Sequence, residues 1–170
     1  MKNFSPQTVE LLDVLAIDTP IIQAPMAGVS NPDLALAVAS AGGLGSLGLG
    51  GGSPAVLSKM AAKLGDARPL PINLNFFVHK TPDANPKLES AWLQLLSPLF
   101  NELHAKPPAG IAAPYGSFDD NLANLPALLE LEPAVVSFHF GLPSPSTISC
   151  LLYTSPSPRD ATLSRMPSSA

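Results

Sequence analysis

Apolar and polar positions along the chain change period several times, and each change marks an element. Residues 7–15, QTVELLDVL, read as a short amphipathic helix. PIIQAP, 20–25, is a compact apolar run ended by a proline and predicts a strand. Asn31-Pro32-Asp33 has the form of a helix start, with Asn as cap, Pro at the first helical position and an acid in the first turn. Leu34, Val38 and Ala41 share one face of that helix, and Gly42-Gly43 stops it. LGSLG, 44–48, predicts a second strand. Ser53-Pro54 opens a helix over AVLSKMAAKLG, with Gly65 as its stop. LPINLNFFV, 70–78, predicts a third strand, and KLESAWLQLLSPLFNELHA, 87–105, a helix broken near Pro98. Its Trp92, Leu93, Leu96 and Phe100 form an apolar stripe suited to core packing. GIAAPYG, 110–116, is too interrupted by proline to assign. NLANLPALLELE, 121–132, predicts a helix, and AVVSFHFG, 134–141, a fourth strand.

Strands alternating with helices imply parallel βαβ units. The strands read as apolar throughout, as expected where helices cover a parallel sheet. Four units fit either a small doubly wound domain or about the first four βα units of a (β/α)₈ TIM barrel, whose usual length is roughly 250 residues. The half barrel is the expected architecture, an α/β fold.

Composition narrows the function classes. Of 170 residues, 46% are hydrophobic and 13% charged, enough for one core. The net charge of -4, with Lys and Arg scattered, provides no basic patch for nucleic acid. Glu10 and Asp13 interrupt the N-terminal region where a signal peptide needs an apolar run. No apolar stretch reaches the roughly 18 residues of a membrane span. These features predict a cytoplasmic protein without a membrane partner.

From Cys150 onward periodicity fades and Ser and Pro dominate. CLLYTSPSPRD, 150–160, and SRMPSSA, 164–170, resemble the read-through translation of a transposase-type sequencing adapter. On this reading 150–170 is a non-native, disordered tail, and 1–149 is the truncated N-terminal part of the barrel. The only cysteine, Cys150, then carries no redox information.

Candidate chemistry gathers at the ends of strands. Gly43-Leu44-Gly45-Ser46-Leu47-Gly48 spells a dinucleotide-binding pattern, but a helix precedes it instead of following it, which excludes that fold. Close packing is the better use of these glycines, and Gly50-Gly51-Gly52 forms a loop that a ligand could approach. Gln23-Ala24-Pro25-Met26-Ala27-Gly28 ends the first strand, on the face where parallel α/β folds bind ligands. A plain turn explains that stretch equally well. Asn75 and His139 are polar residues in otherwise apolar strands, and each needs a partner, from backbone or ligand. Gln23, Asn75 and His139 thus put one polar residue near the carboxyl end of three strands out of four. Their convergence favours a binding site over scattered core polars. His79 and His104 fall in a loop and near a helix end and are expected to be solvated. No Cys/His cluster for zinc, Walker lysine loop or G-x-S-x-G elbow is present.

PIIQAPMAGVSNPDLALAVASAGGLGSLG, LNFFVH and VVSFHFGLP, in that order, closely resemble the nitronate monooxygenase family, formerly the 2-nitropropane dioxygenases. The resemblance implies an FMN-dependent TIM barrel that oxidises alkyl nitronates, such as propionate 3-nitronate, with O₂ and without a nicotinamide. It implies that Ala24, Pro25 and Met26 lie against the flavin ring, that Asn75 faces the flavin, and that His139 is the catalytic base. Gln23 carries over only weakly as a cofactor contact. A nitroalkane would need a proton removed, whereas a nitronate would need only binding and orientation by the imidazole. The phosphate loops of such barrels follow strands seven and eight, beyond residue 149, so the chain as written is expected to be inactive. A related flavin-barrel enoyl-thioester reductase shares the AP-M-A-G start and stands as the alternative, beside a non-catalytic fragment.

Overall fold

The computed structural model describes residues 5–64, 71–120 and 123–153. Three parallel strands form one sheet in the order β1 (Gly45–Gly50), β2 (Ile72–Phe77), β3 (Val135–His139). Around them run α1 (Pro6–Leu15), α2 (Pro32–Ser40), α3 (Pro54–Leu64), α4 (Pro86–Glu102), α5 (Asn124–Leu131) and α6 (Pro145–Tyr153). The order matches the expected βα units, with one change. The predicted strand at 20–25 shrinks to a single parallel bridge, Ile22 to Leu44. After that bridge Gln23 replaces further pairing with its side chain: Oε1 accepts from the Ser46 N–H at 3.3 Å, and Nε2 donates to the Ser46 carbonyl at 3.0 Å. A side-chain amide here does the work of the next peptide unit.

The strands are not apolar throughout. In β2, Ile72, Leu74 and Phe76 point one way and Asn73 and Asn75 the other, the period-two alternation of a sheet with two unlike faces. The apolar face meets the helices. Leu47, Leu74 and Phe76 are buried with Leu57 of α3, Leu128 of α5 and Phe118 of the 3-10 turn Phe118–Asp120. The Phe76 and Phe118 rings lie 4.8 Å apart and tilted, a favourable aromatic geometry. The polar face looks inward, where a barrel of this type is filled by side chains rather than by helices.

Small residues decide the seat of α2. Its buried positions are Pro32, Ala35 and Ala39, whereas Leu34 is exposed, so the face expected from Leu34, Val38 and Ala41 is not the one that docks. Gly45 explains the choice, because any Cβ there would collide with the Ala35 carbonyl. The helix backbone lies directly on the strand. The cap came out as expected: the Asn31 side chain accepts from the Leu34 N–H at 2.8 Å.

Two helices depart from expectation. α4 runs unbroken through Pro98 and buries none of its residues; Trp92 is 54% exposed, so its stripe is not core. The crossover from β2 to β3 is completed instead by α5, which packs beside α3. α6 continues through Cys150 to Tyr153, where no element was expected. Ser144 caps it, accepting from the Thr147 N–H at 3.3 Å, Pro145 opens it, and Leu151 rests partly buried on the core. The rest of 150–170 and the expected helix stop at Gly65 lie outside the described residues. α1 sits at the other end of the sheet, where Leu12 and Ile17 bury against Leu44.

Candidate functional site

At the carboxyl ends of the strands the inward face becomes a connected polar row. The register sets Ser46 beside Asn73, and Asn75 beside both Gly48 and Ser137. Asn73 donates from Nδ2 to the Ser46 Oγ at 3.2 Å and accepts the Ser137 hydroxyl at 2.9 Å. Asn75 donates from Nδ2 to the Ser137 Oγ at 2.9 Å, and the same nitrogen lies 3.0 Å from the His139 Nδ1. Asn73 is 5% exposed and Asn75 1%, whereas His139, last in β3, is open to solvent. The buried amides are therefore satisfied by neighbours, and the row terminates on an accessible imidazole.

Beside this row lies the loop at 24–28. Ser30 holds it: the hydroxyl donates to the Ala24 carbonyl at 3.3 Å and accepts from the Met26 N–H at 2.9 Å and from Gln23 Nε2 at 3.3 Å. Gly48 admits it to the sheet, because a Cβ there would fall 2.7 Å from the Ala27 nitrogen and 2.9 Å from the Met26 carbonyl carbon. Ala24 and Met26 remain exposed above the row. Gln23, Asn75, His139 and the Ala24–Pro25–Met26 loop thus occupy one end of the sheet. Gln23 differs from the others, since both amide protons and its oxygen are engaged in binding β1 and Ser30.

Aromatic side chains wall the outer side. The Phe77 ring meets Phe140 at 5.0 Å and Tyr115 at 5.3 Å, both edge-on, and His139 at 6.5 Å. Phe140 is 74% exposed and holds a left-handed backbone at φ 73°, a costly conformation for a bulky residue. A groove of about 1090 Å³ opens here, lined by Phe77, His79, Tyr115 and Phe140, with Asp83 and Glu89 also on its walls. His79 corrects the expectation of a solvated loop residue. It is half-buried, and its Nδ1 is buried without a hydrogen-bond partner. His104 is exposed, as expected. The loop Gly50–Gly52 is approached by the Tyr115 ring and the Gly116 carbonyl.

Sequence reasoning missed Ser30, Ser46, Asn73 and Ser137. Strand period could have found three of them: Ser46 lies two residues before Gly48, Asn73 two before Asn75, and Ser137 two before His139. Ser30 has no such signal.

The profile of the nitronate monooxygenase family matches residues 9–153. The chain belongs to that family. Nitronate monooxygenases of Paraburkholderia phytofirmans and Pseudomonas aeruginosa are 48% and 46% identical to it, over 82% and 81% of this chain. The match covers only 38% and 39% of those relatives, so the chain spans about two-fifths of their length. Among solved structures, a nitroalkane oxidase from Streptomyces ansochromogenes is similar, with TM-score 0.64 and 33% identity over 85% of this chain and 40% of its own. A FabK mutant from Thermotoga maritima shares the fold, with TM-score 0.52 at 24% identity over 86% of this chain and 36% of its own. In this nitronate monooxygenase segment no helix among the described residues is long and apolar enough to cross a membrane. Nor do the described residues group three His, Cys, Asp or Glu side chains around a metal position.

Proposed function

We propose that this segment forms one wall of a site that oxidises small alkyl nitronates with O₂, with FMN as cofactor. The observation that carries the reading is the Asn75–His139 pair at adjacent strand ends, 3.0 Å apart, beside the exposed loop at 24–28. The residues suit a flat, hydrogen-bonding ring. Ala24, Pro25 and Met26 offer an apolar ledge, held against β1 only because Gly48 lacks a side chain. Asn75 brings a buried, oriented amide to the edge of that ledge. Gln23 serves the cofactor indirectly, by fixing the ledge to β1.

Bound FMN would supply the electron-accepting ring that links nitronate oxidation to O₂. His139, exposed at the end of β3, is the group that meets the substrate's nitro end. Phe77, Phe140 and Tyr115 give that side an apolar wall against which the alkyl part of a small substrate can rest. Substrate and O₂ are the only partners this reading requires, and it fits a cytoplasmic enzyme.

The test uses a full-length protein carrying this segment, loaded with FMN, with O₂ uptake followed on propionate 3-nitronate and on a simple alkyl nitronate. Nitronate-dependent uptake without a nicotinamide is the expected result. NAD(P)H oxidation with an enoyl thioester, and none with nitronates, would instead establish the reductase alternative.

A further inference from the structure

We infer that Phe140 sets the chain-length preference of the site: its ring, turned out beside His139 by a left-handed backbone, directs the uncharged alkyl tail of the substrate into the adjoining groove. The inference deepens the site reading above and rests on it. Regular strand geometry would send Phe140 elsewhere. Side chains of β3 alternate, with Phe138 near Phe76 and Phe118 on the helix side and His139 on the hollow side, paired with Phe77. The next residue in that alternation belongs beside Val78, whose N–H donates to the His139 carbonyl at 2.9 Å and whose side chain lies in the core. Phe140 would be buried there. It adopts φ 73° instead, and its ring meets Phe77 at 5.0 Å, His139 at 5.9 Å and His79 at 6.2 Å.

Two departures from what stability favours thus meet in one residue. A bulky side chain occupies the left-handed region, and a large aromatic ring is left 74% exposed. Glycine stands next in the chain, yet it does not take the left-handed position. Gly141 serves a close approach, since a Cβ there would fall 2.8 Å from the Val78 carbonyl oxygen. Strain kept beside a reactive imidazole, with a glycine one position away, argues for a task for the ring.

The task follows from what the ring borders. Phe140 contacts His139 on one side and lines the groove of about 1090 Å³ on the other, with Phe77, Tyr115, Pro114 and Ile111 as further apolar walls. A planar anion bound at His139 therefore runs its carbon chain past Phe140 into the groove. Each methylene taken from water there is worth up to about fourfold in affinity. The ligand class is an unbranched, uncharged alkyl chain on a small anionic head.

The experiment uses the FMN-loaded full-length protein. Ethyl and hexyl nitronate are the substrates, and propanoate and heptanoate, planar anions of matching length, are titrated by calorimetry. In Phe140→Ala the hexyl-to-ethyl ratio of kcat/KM should fall about tenfold, the worth of roughly two buried methylenes, mainly through KM. The heptanoate-to-propanoate affinity ratio should fall with it. Phe140→Leu keeps an apolar side chain and should retain most of both ratios. Ratios unchanged in Phe140→Ala, whatever the loss at each length, would overturn the inference. Phe140→Gly and Phe140→Ala remove the same ring, so the glycine variant should show the higher Tm, because only glycine holds φ 73° without strain. A lower Tm for the glycine variant would count against the left-handed placement and sink the proposal. Should Phe140→Ala not fold, Phe140→Gly takes its place in the ratio measurements. If the wild type oxidises neither nitronate, the proposed function falls, while the carboxylate ratios still decide the role of Phe140; no carboxylate binding at all would overturn that role as well.

Discussion

Replacing His139 separates its two conceivable duties. His139→Ala in the FMN-loaded full-length protein should lower kcat/KM for a nitronate about 10²–10³-fold, the usual cost of deleting one donor to a developing or resident oxyanion. His139→Gln keeps an N–H and should recover part of the loss, which oxygen-uptake kinetics would show; equal damage in both variants would contradict the donor role. Gly48 makes a second prediction. Gly48→Val inserts atoms where Met26 and Ala27 already lie against the strand. Overpacking should cost about 1–3 kcal/mol of stability, read as a lowered Tm, and should weaken flavin binding by displacing the ledge. At this scale the sequence exposed the ends of the polar row, Asn75 and His139, because each interrupts an apolar run. Its middle stayed hidden, since serine and asparagine in a strand carry no mark of which neighbour they will meet across it. His79 was misjudged for a related reason: its loop folds back under Ser117, whose Oγ accepts the His79 N–H at 3.1 Å.

Helices announced themselves where a cap and a proline coincide. Asn31-Pro32 and Ser53-Pro54 open helices as predicted, and Ser144-Pro145 opens a third with the same signal, set in a proline-rich stretch whose hydropathy has no helical period. The strand at 20–25 was overestimated because hydropathy cannot show that a glutamine side chain will stand in for a peptide unit. α4 was misplaced because an amphipathic stripe shows that a helix has an apolar side, without naming what covers it. Pro98 lies in the interior of α4, where it removes one hydrogen bond and strains the turn before it. Pro98→Ala should therefore stabilise that helix by up to about 3 kcal/mol. Since α4 buries no residue, the gain should appear as slower amide exchange within α4 and leave the global Tm nearly unchanged. A clear rise in global Tm would mean that α4 and the sheet unfold together.

Across the whole molecule, the sheet has two ends that differ in protection. β1 is partly covered by the Ile22 bridge and the Gln23 amide, whereas β3 pairs with β2 alone among the described residues. A strand edge of this kind recruits another chain. The 170-residue chain in isolation should self-associate with rising concentration, and light scattering after size exclusion would show it. Strictly monomeric elution would contradict that expectation. The same chain should hold FMN poorly, because barrels of this class grip the phosphate with loops after strands seven and eight. Stoichiometric flavin in the purified chain would overturn this. The fold class was legible because alternation of strand and helix is a long-range pattern that survives local misreadings.

The two unlike faces of β2 have one more effect. Sliding that strand by a single residue against β1 or β3 would thrust Leu74 and Phe76 into the hollow and drive two asparagines beneath the helices, with their amides stranded in hydrocarbon. The groups that prepare the chemistry therefore also police assembly, since a misthreaded sheet forfeits its core and its reactive end in the same stroke.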